Sequence, residues 1–167
     1  GFNRVSMGVR DFTPEVQTII NRNQTEEETR RVYAECRRLG FHSINIDLIY
    51  GLPLQKPETF NRNLDVVLDL RPNRVALYSF AHVPWLKKNQ NLLDPATLPS
   101  PNTKIELFVL ATRRFLEAGY RKIGMDHFAL PDDEMSLALD ERRLFRNFMG
   151  YTILPPGDYV AFGISSI

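Results

Sequence analysis

The chain has 167 residues, 43% of them hydrophobic and 25% charged, the make-up of a soluble globular domain. A formal net charge of +1 gives no electrostatic footprint for nucleic acid or an anionic membrane, no apolar run is long enough to span a bilayer, and no signal peptide is visible. One cysteine, Cys36, excludes an internal disulfide and cannot on its own ligate an iron–sulfur cluster.

Strand and helix alternate along the chain. "FNRVSMGV" (Phe2–Val9) predicts a strand. "TEEETRRVYAECRRLG" predicts a helix, with Thr25 and Glu28 in capping-box spacing and Gly40 as the stop. Val32, Cys36 and Leu39 fall at i, i+4, i+7 within it, which predicts a buried stripe and makes Cys36 a core residue rather than a reactive thiol. "SINIDLIY" (Ser43–Tyr50) is the second strand. Pro57 opens the next helix, whose buried face is Phe60, Leu64, Val67 and Leu68. "RVALYSF" (Arg74–Phe80) is the third strand, and a helix runs from Ser100-Pro101 to Gly119. "YRKIGMDHF" is read as a fourth strand, Asp132 or Asp133 as the start of a helix ending near Asn147, and "YVAFGISSI" as a fifth strand. The Arg-Arg pairs at Arg30, Arg37, Arg113 and Arg142 lie in helix-like segments and mark solvated faces. The chain opens on Gly1 and closes within an apolar run, so a single truncated domain over 1–167 is expected.

This alternation implies βαβ units and a parallel sheet, with right-handed crossovers bringing the strands' C-terminal ends to one rim. An open doubly wound sheet and an incomplete barrel fit it equally. In both, ligands bind at that rim. There the sequence places Arg10-Asp11-Phe12 and "NRNQ" with Arg22 after the first strand. "YGLPLQ" follows the second, "FAHVPW" the third, and Asp126 and His127 lie in the fourth.

Asp47 stands out. Alternation puts Asn45, Asp47 and Ile49 on one face and Ile44, Ile46 and Leu48 on the other, so a buried carboxylate is expected. An unpaired buried ion costs on the order of several kcal/mol, so Asp47 needs either a protein donor or a ligand's hydroxyl or amine. Asp126 and His127, adjacent in a strand, would point to opposite faces, which argues against a direct pair. Asp132, Asp133 and Glu134 follow Pro131 at a helix start, where carboxylates cap free N–H groups. The three histidines show no metal-ligand spacing, and no nucleophile elbow, phosphate-binding loop or dinucleotide fingerprint occurs.

"GFNRVSMGVRDF", "NRNQ", "NIDLIYGLPLQ", "YSFAHVPW", "IGMDHFALPDDE" and "RNFMGYT" together resemble, in order, the oxygen-independent coproporphyrinogen III oxidases, a radical S-adenosylmethionine family. "NIDLIYGLP" is shared with related radical enzymes, including haem-chaperone relatives, while "IGMDHFA" followed by "RNFMGYT" is much more specific to the oxidases. The resemblance implies an α/β fold, a portion of an incomplete parallel (β/α) TIM-like barrel of radical SAM type. It implies oxidative decarboxylation of two propionates of coproporphyrinogen III to vinyl groups, giving protoporphyrinogen IX in anaerobic haem synthesis. The family uses two S-adenosylmethionine molecules and a [4Fe–4S] cluster on C-x-x-x-C-x-x-C, with a deoxyadenosyl radical removing hydrogen from the propionate chain. Those cysteines and the adjoining glycine-rich loop lie upstream of the matched segments, so a fragment inactive alone is expected. By position, Arg22 and Asp47 match contacts to the second S-adenosylmethionine, and Arg10 stands where the family usually has glutamine. Ala81 and Ile167 match positions lining the first. His127, Arg146 and Tyr151 are candidates for substrate contact, and no catalytic residue or metal ligand is assigned. The full-length protein would be a cytoplasmic monomer using an unidentified electron donor, without nucleic-acid or membrane partners. A haem-binding relative and an inactive remnant are the alternatives.

Overall fold

The computed structural model describes residues 2–147, 150–155, 157 and 160. Three strands, β1 (Arg4–Arg10), β2 (Ser43–Tyr50) and β3 (Arg74–Ser79), pair side by side in parallel. The helices between them are α1 (Pro14–Ile19), α2 (Glu26–Arg38) and α3 (Pro57–Leu70). Beyond β3 come α4 (Pro101–Glu117), β4 (Arg121–Lys122), β5 (His127–Ala129) and α5 (Glu134–Asp140). A separate hairpin of β6 (Phe145–Asn147) and β7 (Gly150–Thr152) follows, and the sheet order is β1-β2-β3-β5-β4.

Local chemistry sets these boundaries. Thr25 and Glu28 form the expected capping box at the start of α2. Pro57 and Pro101 occupy first-turn positions of α3 and α4, and Ser100 caps α4 through Thr103 N–H at 3.1 Å. One face of the sheet carries the core: Val9, Ile44, Ile46, Leu48, Val75, Leu77 and Phe128, packed under Phe60, Leu64 and Val67 of α3 and Leu107, Ala111 and Phe115 of α4. Phe60, Phe115 and Phe128 are fully buried, each contributing about 1.5–3 kcal/mol of transfer free energy.

Several expectations are corrected. The fourth strand is two short antiparallel strands, with β5 inserted between β3 and β4 and running against both. The last helix stops at Asp140. Arg142 takes φ 55°, its N–H bonds Leu139 C=O, and Arg143 N–H bonds Ala138 C=O, a Schellman ending built without glycine. The residues up to Asn147 then form β6. In α2 the buried side chains are Thr29 and Tyr33, whereas Val32 and Leu39 are exposed; Cys36 is half-buried against the core. Most of "YVAFGISSI", and with it Ile167, lies outside the described residues.

Candidate functional site

The face of the sheet opposite the helices is polar and open. Strand alternation puts Arg4, Ser6 and Gly8 of β1, Asn45 and Asp47 of β2, and Arg74, Ala76 and Tyr78 of β3 on it. His127 joins them because β5 pairs it with Ala76. Arg4, Ser6, Asn45, Asp47, Tyr78, His127 and Tyr151 line a cleft of about 370 Å³ on this face.

Asp47 is half-buried rather than buried, because among the described residues nothing covers this face as the helices cover the other. Its Oδ1 accepts from Asn45 Nδ2 at 2.7 Å and from Ser6 Oγ at 3.4 Å, and Asn45 Nδ2 also donates to Ser6 Oγ at 2.8 Å. Oδ2 takes no side-chain donor among the described residues, and Asn45 Oδ1 is buried without a partner. Asp47 Oδ2 is thus the carboxylate acceptor that this side of the cleft offers.

Arg10 and Arg22 converge on Gly8, the strand partner of Asp47. A bulge between Gly8 and Arg10 gives Arg10 φ 73°. A Cβ on Gly8 would lie 3.5 Å from Arg10 Nη2 and 3.6 Å from Arg22 Nη2. Arg22 reaches this point because Gln17 closes the preceding loop: its Nε2 donates to Asp11 O at 2.8 Å and Gln24 O at 2.6 Å, and its Oε1 accepts from Gln24 N–H. Arg22 Nη2 donates to Gly8 O and to Gln24 Oε1, while its Nε is buried without a partner. No carboxylate pairs with either guanidinium among the described residues, so two cations without an ion-pair partner there stand beside Asp47.

His127 Nδ1 and Asp126 Oδ1 are 2.7 Å apart, against the expectation that the two diverge. Asp126 lies in the bend before β5, not in a regular strand, so alternation does not apply to it. The His127 ring stands edge-on to Tyr78 and Tyr151, with centroids 6.0 and 5.3 Å away. Burial pushes the Tyr78 phenol up, and the charges of Asp47 and Asp126 add to this against the opposing Arg10.

Of the other expected residues, Ala81 is exposed just beyond β3, its carbonyl accepting from Gln90 Nε2 at 3.0 Å. Arg146 is exposed on β6, its guanidinium 5.3 Å from the Tyr151 ring centroid. Asp133 caps Met135 N–H as expected but also takes Arg74 Nε on both oxygens, and Glu134 pairs with Arg74 and Arg4. Those carboxylates are ion-pair partners as well as caps. Asp11, read as a rim residue, is consumed inside the protein by Thr13 N–H and Gln55. Ser6 and Tyr78 were missed, though the alternation that singles out Asp47 also selects them. Among the described residues no group of three or more His, Cys, Asp or Glu could hold a metal ion. No described helix is long and apolar enough to cross a membrane.

No family model matches the chain. Among curated proteins it is 49% identical over all 167 residues to the oxygen-independent coproporphyrinogen III oxidase of Pseudomonas aeruginosa, covering 36% of that protein. It is 47% identical to the one from Thermostichus vulcanus, covering 51% of it, and 46% identical to the one from Escherichia coli, covering 36%. The solved structure of E. coli coproporphyrinogen III oxidase (HemN), described as a radical SAM enzyme, matches 99% of this chain and 38% of its own with TM-score 0.93 at 45% identity. The chain therefore spans about a third to a half of the length of these relatives. Its fold is a portion of an α/β barrel, with no closed barrel among the described residues.

Proposed function

We propose, on the premise that this chain corresponds end to end to a segment of the oxygen-independent coproporphyrinogen III oxidases, that its open sheet face is the ligand side of such an enzyme. The reaction would be oxidative decarboxylation of coproporphyrinogen III to protoporphyrinogen IX. The observation that carries this reading is the convergence of Arg10, Arg22, Asp47, His127 and Tyr151 on one polar sheet face, opposite a helix-covered core.

The residues fit S-adenosylmethionine. Arg22 and Arg10 offer a ligand carboxylate guanidinium groups that have no carboxylate partner among the described residues, and Asp47 offers an acceptor to an amine or ribose hydroxyls. Ala81 would contact the cofactor by its backbone or methyl group, and Ile167 would line the same ligand. Arg10, in place of a neutral side chain, favours the carboxylate end of the ligand over its sulfonium. His127, Tyr151 and Arg146 would meet the porphyrinogen. The residues do not fit a cluster: Cys36 is the sole cysteine and packs from α2 onto the helix-side core, across the sheet from the cleft. A [4Fe–4S] cluster, which in radical SAM chemistry supplies the electron that cleaves the cofactor, would be held by residues outside these 167. What this chain supplies is binding, orientation and exclusion of water around the ligands.

Anaerobic turnover of coproporphyrinogen III by the full-length protein containing this segment tests the proposal. Asp47→Ala and Arg22→Ala should each weaken S-adenosylmethionine binding by about tenfold or more, the loss of a charge-assisted hydrogen bond. Tight haem binding with no turnover would replace this reading by that of a haem-trafficking relative. An iron–sulfur EPR signal from the 167-residue chain alone would refute the placement of the cluster.

A further inference from the structure

Gly124 lies in the bend between β4 and β5, and its φ is outside the left-handed region, so the backbone there does not call for glycine. Space does. A Cβ on Gly124 would lie 2.1 Å from Tyr151 Oη and 2.3 Å from Tyr151 Cζ. The phenol end of Tyr151 is therefore seated on the Gly124 backbone, and its oxygen lies 3.4 Å from Met125 N–H. Its ring meets the His127 ring edge-on at 77°. One side chain from the β6–β7 hairpin thus touches the residues on either side of Asp126.

We infer that Tyr151 is a positioning residue: seated on Gly124, it holds the bend in which the Asp126 carboxylate fixes the ring of His127. A carboxylate oxygen accepts, so the 2.7 Å contact places the imidazole proton on Nδ1 and leaves Nε2 as a lone pair. Leu77 N–H to Asp126 O at 2.7 Å and Ile123 N–H to His127 O at 2.9 Å anchor the ends of the bend to the sheet. Between those anchors, Gly124 and Met125 are held by Tyr151. Gly150 leaves room beside the imidazole: a Cβ there would come within 3.5 Å of His127 Nε2. The presented atom suits a ligand N–H or O–H donor. That consequence rests on the open face being the ligand side, whereas the tautomer itself does not.

Ring 15N NMR of the histidines, at a pH where the spectra themselves show neutral rings, reads the tautomer directly. In the unaltered protein His127 should show Nδ1–H over Nε2–H by roughly tenfold, the preference of one charge-assisted hydrogen bond. Gly124→Ala should drive Tyr151 off the bend and bring the two tautomers to within about threefold of each other. Tyr151→Ala should do the same without crowding, and decides the matter if Gly124→Ala fails to fold. Asp126→Ala removes the acceptor for Nδ1–H and should abolish the Nδ1–H preference whatever Tyr151 does, and so tests the Asp126–His127 pair. Retention of Nδ1–H in Tyr151→Ala would overturn the inference. Failure of the unaltered full-length protein to bind S-adenosylmethionine or coproporphyrinogen would overturn the proposed function and leave the tautomer result standing.

Discussion

Asp11 and Gln55, 44 residues apart, meet in a buried contact in which Gln55 Nε2 donates to Asp11 Oδ2 at 2.7 Å. The other oxygen, Asp11 Oδ1, accepts from Thr13 N–H at 2.6 Å. Gln55 Oε1 takes Gly51 N–H at 2.7 Å and Leu52 N–H at 3.3 Å, and its Nε2 also donates to Ile49 O at 2.9 Å. One amide thus ties the loop after β1 to the loop after β2 and satisfies several buried groups at once. Gln55→Ala would leave Asp11 Oδ2 and two backbone N–H groups without these partners. It should cost about 2–4 kcal/mol, measured by urea denaturation, since each buried group left unpaired costs about 1–3 kcal/mol with partial relief from water. Gln55→Glu should be as damaging, because it sets a second carboxylate against Asp11.

Arg74 organises the opposite end of the sheet. Its Nε bonds both oxygens of Asp133 at 2.9 and 3.0 Å and its Nη2 bonds Glu134 at 2.6 Å, with the Asp133 side chain 3% exposed. Arg74→Met should destabilise the protein by about 3–5 kcal/mol, the consequence of leaving a buried charge without its partner. Adding Asp133→Ser, which keeps a cap for Met135 N–H, should recover most of that loss. Arg4→Ala removes a pair in which both side chains are substantially exposed and should change stability by less than about 1 kcal/mol. Denaturant midpoints of the four proteins separate these cases.

Gly8 separates fold from ligand binding. A Cβ there would sit at ordinary contact distance from the Arg10 and Arg22 guanidiniums, and its φ is not left-handed. Gly8→Ala should therefore leave stability within about 1 kcal/mol, since alanine loses less backbone entropy on folding than glycine. If the open face is the proposed ligand side, it should nonetheless weaken S-adenosylmethionine binding in the full-length protein by filling the space both arginines face. Unchanged affinity in isothermal titration would remove this part of the open face from the ligand site.

How far the sequence reaches is visible in these same elements. The run Ser43–Tyr50 is β2 to the residue, and Thr25, Pro57 and Ser100 mark real helix starts, because caps and first-turn prolines act within a few residues of themselves. The end of α5 carried no comparable mark: Arg142 does there what glycine usually does. Alternation sorted the two faces of β2 correctly but could not tell that the face bearing Asp47 is open, since that depends on what packs above it. Strand direction failed for the same reason at β5, where the reversal depends on the Gly124 bend. The candidate site was legible as single residues, Arg22, Asp47 and His127. The contacts that define it, Asp126 with His127 and Tyr151 with Gly124, arise from irregular backbone that no periodicity describes.

Tyr120 gives the stability a defined alkaline limit. Its hydroxyl donates to Pro72 O at 2.6 Å inside the core, and burial pushes the phenol well above its ordinary value. The folded state therefore holds this proton at pH values where the unfolded chain releases it. Folded pKa raised over unfolded means the stabilising term is fully present below about pH 10 and lost as pH rises beyond it. Thermal melts should accordingly show stability falling above about pH 10, with part of the slope due to this residue. Tyr120→Phe should lose about 1 kcal/mol at neutral pH, from the broken hydrogen bond to Pro72. It should also melt with a shallower alkaline decline, so the gap between variant and parent narrows as pH rises. Parallel curves for the two proteins above pH 10 would show that Tyr120 is not the group responsible.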